Sequence, residues 1–253
     1  MRATYPAVLV ATSVTLVATA MAPNATRAQA PATTRSYVQV VRLKPEMVTE
    51  WMTLPRTEVI PAQKKAGIAS RITLATQVGN AFEYFILTPF PTWAAMDGDA
   101  PLVRALGAEG AAQLNAKLRR CILTQASYMT NRQDSLTIDP GPALVWRVVL
   151  RKILPGKMPE YLAWHRAEVL PAMQKAKAAG KIAGSTVAVR GAGAASGEFT
   201  VVTYHNTFAE LQAGDPITQV LGAQAATAIN AKNALYSTPV RVDIRRRVAD
   251  LSY

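Results

Sequence analysis

At 253 residues, half of them hydrophobic, the chain has ample apolar material for a buried core, and 28 Lys plus Arg against 16 Asp plus Glu give it a formal net charge of +12. A single cysteine, Cys121, excludes an intrachain disulfide, so burial has to supply the stability. The basic balance alone would raise nucleic acid as a partner. The arginines are dispersed, however, apart from Arg119-Arg120 and Arg245-Arg246-Arg247, and the N-terminus directs the chain to a compartment where nucleic acid is rarely met.

That N-terminus carries Arg2, an apolar stretch over 7–22 and then Ala28-Gln29-Ala30, the small-x-small form read by signal peptidase. Residues 1–30 are expected to be a cleaved signal peptide, leaving a periplasmic or secreted protein that starts at Pro31. The apolar stretch is interrupted by threonines and a serine and falls short of the ~20 residues that cross a bilayer, so no stable membrane insertion is expected after processing. No cysteine stands near the cleavage site to carry a lipid. Losing Arg2 and Arg27 lowers the net charge from +12 to +10, so the mature chain is still basic.

The first predicted strand spans 36–43 and ends at a Lys-Pro break. A helix follows, with Val48, Trp51, Met52, Pro55, Val59 and Ala62 on one apolar stripe and a kink expected from Pro61. After Gly67 two strand-like runs are joined by a turn at Val78-Gly79-Asn80. A short helix over 92–96, a longer one over 102–120 and a strand over 123–131 complete the unit. Cys121, beside the start of that strand, is expected to be a buried structural thiol.

The same series then repeats. Arg56 opens R-T-E-V-I-P-A-Q-K-K-A and Arg166 opens R-A-E-V-L-P-A-M-Q-K-A, seven of eleven identical at a shift of 110. Leu106 opens L-G-A-E-G-A-A-Q-L-N-A-K and Leu221 opens L-G-A-Q-A-A-T-A-I-N-A-K, seven of twelve identical at a shift of 115. This is a tandem duplication. The second copy has a strand over 144–150, a helix striped by Met158, Tyr161, Leu162, His165, Val169, Ala172, Met173 and Ala176, and a hairpin with a longer turn over 190–197. Helices over 207–212 and 217–234 and a strand over 240–246 follow. The predicted fold is α+β: two tandem ferredoxin-like (β-α-β-β-α-β) repeats, 31–140 and 141–253, each with one helix-covered sheet face and one open face that needs a partner.

The strand–Pro–helix openings Arg42-Leu43-Lys44-Pro45 and Ile153-Leu154-Pro155-Gly156, with the helix phrases Glu58-Val59-Ile60-Pro61 and Glu168-Val169-Leu170-Pro171, resemble the dimeric α+β barrel superfamily, nearest to its NIPSNAP-like and antibiotic-biosynthesis-monooxygenase-like members. The resemblance covers about 36–136 and 144–251. It implies that the two open sheet faces pack on each other as a pseudo-dimeric barrel. It leaves activity open, since the superfamily holds oxygenases, isomerases, haem proteins and proteins with no known reaction.

Candidate chemistry is sparse. Both histidines lie in the second copy. His165 and Glu168 are spaced i, i+3 but have no evident third ligand, so no metal site is expected. His165 sits within the apolar stripe, where a core histidine satisfied by one hydrogen bond is the simpler expectation. The resemblance makes it the one residue that could serve a haem, although no cofactor is expected. His205 stands where the first copy has Phe90 and is expected at a strand end. Alternation along strands puts Val145, Arg147, Val149 and Arg151 on one face, and Arg241, Asp243 and Arg245 on one face of the last strand. If these polar faces line the space between the sheets, Arg147, Arg241, Asp243 and Arg245 with Tyr37 and Tyr128 form a cationic, partly aromatic pocket for a small anionic or aromatic molecule. The expected function is therefore that of an exported small-molecule-binding protein. A cofactor-independent oxygenase or isomerase of a small aromatic substrate is the alternative, and a haem-binding protein the lesser one. Neither composition nor motifs decide whether copies of the chain assemble into a homo-oligomer.

Overall fold

Strand, helix, two strands, helices and strand succeed one another twice along the chain. A computed structural model describes residues 34–253, so the signal-peptide segment 1–30 lies outside the described residues. The first half contributes β1 (Arg35–Leu43), β2 (Ile72–Val78), β3 (Glu83–Pro89) and β4 (Ile122–Arg132). The second contributes β5 (Val145–Ile153), β6 (Gly184–Arg190), β7 (Glu198–His205) and β8 (Ser237–Arg247). Strand neighbours run β4-β1-β3-β2 in one half and β8-β5-β7-β6 in the other, the same order twice. Two short seams join the halves, β2 to β8 through 74–78 against 244–247 and β4 to β6 through 130–132 against 188–190. The sheet thereby closes into an eight-stranded antiparallel barrel within a mixed α+β fold.

The helices pack on the outside of this barrel. In the first half, α1 (Val48–Leu54) passes through a π turn (Pro55–Val59) into α2 (Ile60–Lys65). In the second, α4 (Met158–Trp164) passes through the matching π turn (His165–Val169) into α5 (Leu170–Ala178), with α3 (Pro101–Cys121) intervening in chain order. Proline explains both turns. Pro61 and Pro171 have no N–H to give to the preceding turn, and the residues just before them, Ile60 and Leu170, bond back five positions to the carbonyls of Pro55 and His165. The kink expected from proline is thus absorbed as a widened turn. The single helix expected over 217–234 is instead two, α7 (Pro216–Leu221) and α8 (Ala223–Ala234), preceded by the short α6 (Phe208–Gln212). Gly222 breaks it with φ 84°, and the duplicated Gly107 interrupts α3 in the same way with φ 75°, a conformation open to glycine alone without strain.

Side-chain alternation sorts every strand into an inner and an outer face. Val41, Leu43 and Ile86 face out onto Trp51, Leu54 and Cys121, which is fully buried. Val187 and Phe199 face out onto Tyr161, Trp164, Val169 and Met173. The barrel interior is a third cluster, with Val38, Leu74, Phe85, Tyr128, Trp146, Val148, Val202 and Tyr204.

Charged side chains enter that interior as well, and they are neutralised there. Arg245 donates to Asp243 Oδ2 at 2.6 Å and its guanidinium lies 3.3 Å from the centre of the Phe85 ring. Arg241 reaches the same carboxylate oxygen at 2.9 Å and Glu83 at 3.1 Å. Arg190 stacks on Tyr128 and pairs with Glu198 at 3.3 Å. The turn residue Gly79 backs onto this cluster, where a Cβ would stand 2.7 Å from Asp243 Oδ1. Removing Asp243 would leave Arg245 buried beside only π density. Asp243→Ala is expected to cost about 3–5 kcal/mol in urea unfolding, whereas Glu160→Ala, which breaks the exposed Lys157–Glu160 pair, should cost less than about 1 kcal/mol.

Candidate functional site

Four of the six predicted residues gather in the barrel interior, and two do not. Arg241, Asp243, Arg245 and Tyr128 do face inward, but Arg147 and Tyr37 face out. The register gives the reason: Trp146 lies opposite Arg245 and Val148 opposite Asp243, so Arg147 falls opposite Ile244 and shares its outer face. Tyr37 likewise stands beside Val38, which takes the inward position against Tyr128. The polar face of β5 and the polar face of β8 are opposite sides of one sheet. The inward arginines are engaged by Asp243, Glu83 and Phe85, and Arg147 and Tyr37 do not join them there.

A cavity of about 480 Å³ lies instead on the outer face of the second half, between the sheet and its helices. Outward residues of β5 and β7 form its floor, with Arg147, Val149 and Arg151 alternating along one strand and Val201, Thr203 and His205 along the next. The helix side presents Tyr161, Trp164, His165 and Met173, and α8 adds Ile229, Asn230 and Asn233. The stretch Gly214-Asp215-Pro216, at the start of α7, forms part of the rim. His165 opens the π turn caused by Pro171; such turns recur at functional sites because the widened backbone re-aims a side chain.

Several polar groups on this wall have no partner among the described residues. Tyr161 Oη, Trp164 Nε1, His165 Nδ1, Ser185 Oγ and both ring nitrogens of His205 are buried, and none is hydrogen-bonded to another described residue. Buried polar atoms are nearly always paired, and six of those left without a partner among the described residues lie around this one space. Burial pushes the His165 imidazole down to about 4, and it is neutral at ordinary pH. His205 is lowered as well, by burial against the pull of Glu210 and with help from Arg147. One expectation needs correction here: the buried His165 Nδ1 has no hydrogen-bond partner among the described residues. His205 ends β7 as expected, and it is buried there, 1 % exposed.

The first half divides the matching region in two: a void of about 140 Å³ beside Trp51, Pro55, Val59 and the buried Arg71, which donates to Thr73 Oγ1 and Gln63 Oε1, and a more open cavity of about 910 Å³ lined by Tyr37, Phe90 and Met96. The buried Arg71 and Thr73 are hydrogen-bonded within the chain. The duplication itself carried the signal that sequence reasoning passed over: at the two shifts, Tyr37 becomes Arg147, Val41 becomes Arg151, Pro55 becomes His165, Phe90 becomes His205 and Leu118 becomes Asn233. Each change installs a polar side chain on the cavity wall.

No protein-family model matches the chain, and no curated protein sequence does. Solved structures do. A candidate monooxygenase from Lactobacillus acidophilus NCFM superposes with a TM-score of 0.55 at 9 % identity, over 87 % of this chain and 96 % of its own. An anthrone oxidase-like protein gives 0.51 at 10 % identity, over 86 % and 92 %. A candidate chlorite dismutase gives 0.52 at 10 % identity, over 86 % and 96 %. At such identities the likeness establishes the fold alone, a closed α+β barrel.

The lowered imidazoles make stability depend on pH with a definite sign. The unfolded chain takes up a proton at His165 near 6.5 and the folded chain only near 4, so protons favour unfolding. The contribution is complete above 6.5 and is lost as pH falls through 4. Between pH 7 and pH 4 the native chain should lose about 3 kcal/mol more stability than His165→Gln, read from urea midpoints.

Proposed function

We propose that this chain is an exported binding protein for a small aromatic molecule bearing an anionic group, held in the cavity beneath the helices of its second half. The single observation that supports this most directly is the set of six unpartnered buried polar atoms around one cavity. Its valines, Trp164 and Met173 suit a flat apolar body, and Arg147 and Arg151, neither of them ion-paired among the described residues, suit negative charge. Binding fits better than acid–base catalysis. An imidazole that stays neutral to about 4 accepts or donates a hydrogen bond but is a poor proton acceptor near neutral pH. The solved neighbours are described by the chemistry of small molecules, which agrees with a small-molecule site. The repeated strand order supports reading 31–140 and 141–253 as duplicated ferredoxin-like units, with the histidines and the paired arginines of the cavity in the second.

A second reading rests on His165 itself, a neutral helical imidazole with an unpartnered ring nitrogen beside the cavity. The residues fit a haem in kind: His165 would hold the iron, Arg147 and Arg151 would meet its carboxylate groups, and Val149, Val201 and Met173 would face its apolar surface. A haem bound there would supply redox or oxygen chemistry.

Thermal shifts with hydroxy-aromatic carboxylates such as salicylate test the main reading. They should raise the melting temperature of the native chain and have no effect on Val201→Phe, which fills the cavity floor; an unchanged shift in that variant would place the ligand elsewhere. A Soret band in protein purified from its own host, absent in His165→Ala, would instead establish the second reading. Intact mass of the same preparation should correspond to a chain beginning at Pro31, and a mass that includes Met1 would overturn export.

A further inference from the structure

The cavity has a cation at each end and an apolar middle. Arg147 and Arg151 lie on the same outer face of β5, four residues apart, which separates their Cα atoms by roughly 13 Å. The head of Arg151 is drawn away from Arg147. Arg151 donates from Nε to Ser237 Oγ at 2.9 Å and from Nη2 to the Ser237 carbonyl at 3.1 Å, and Ser237 lies opposite Ile153, beyond Arg151 along the strand. Arg147 acts on His205, which lies opposite Val145 at the other end. Between the two arginines the floor is Val149, with Val201 beside it, and Trp164 and Met173 lie on the helix side.

Each end also has its own uncharged hydrogen-bonding groups. Near Arg147 these are His205, Thr203 and Ser185, the last two directly opposite one another. Near Arg151 stand Tyr161, whose hydroxyl is buried without a partner, and Asn233, which accepts from Ser237 Oγ at 2.9 Å. No acidic side chain pairs with either arginine among the described residues. A ligand with one anionic group would engage one guanidinium and leave the other to its present surroundings, Ser237 for Arg151 and solvent for Arg147.

Resting on the cavity reading above, we infer that the ligand is a bipolar dianion: a flat, apolar, elongated body with an anionic group at each end. One end is held by Arg147 with His205, the other by Arg151 with Tyr161. A compact monoanion can engage only one end at a time.

Isothermal titration of the full mature chain with benzoate, terephthalate and para,para′-biphenyldicarboxylate tests this. The long dianion should bind about ten-fold or more tightly than benzoate, since each charge-assisted contact is worth at least one such factor. Terephthalate, too short to reach both arginines, should resemble benzoate. Arg147→Gln and Arg151→Gln should each bring the long dianion down to the benzoate level while leaving benzoate within a few-fold. Arg147 is exposed, so its replacement does not threaten folding. Equal affinity for the three acids, with all binding lost in Val201→Phe, would overturn the bipolar assignment and leave the cavity reading standing. No binding of any acid to the native chain would overturn both.

Discussion

Closure of the sheet is the constraint on which the rest depends. The halves are joined by only two short ladders, β2 to β8 and β4 to β6, yet these remove the open faces that each half would otherwise present to water. Once closed, the barrel has an inside and an outside, and strand alternation commits each residue to one of them. The inside is dry. Charge carried there by β8 has to be balanced on the spot, and Asp243, Glu83 and the face of Phe85 do so for Arg241 and Arg245.

The same closure moves the ligand space outward. With the interior filled by Val38, Phe85, Trp146 and Tyr204, room for a small molecule is found where helices meet the outer face of the sheet. Both halves have this layer and both have the π turn set by a proline. Their side chains then diverge. Trp51, Pro55 and Arg71 narrow the layer beneath the helix of the first half, while Tyr161, His165 and the smaller side chains of β6 leave it open in the second.

Much of the architecture was legible in the chain. The repeated phrases at shifts of 110 and 115, the strand–Pro–helix openings and the striped helices locate the elements. Alternation along β5 and β8 was also read properly within each strand. The error lay between strands: Arg147 and Arg245 are each on the polar face of their own strand, but the β5–β8 register sets Arg147 against Ile244 and so puts the two arginines on opposite sides of the sheet. A shift of one residue reverses every side chain. Gly222 and Gly107 were likewise visible, yet their left-handed conformations, which break the helices, depend on how those helices dock.

By itself the sequence determined the duplication, the element types and the inventory of polar residues that only the second copy carries, because periodicity and identity at a fixed shift are properties of the chain. The tertiary structure decided which polar residues meet. Register between strands far apart in sequence, and the depth of packing under a helix, arise only when the barrel closes. For that reason His205, expected at a strand end, became part of a cavity wall with His165, and the arginines expected in one pocket were divided between a sealed core and an open site.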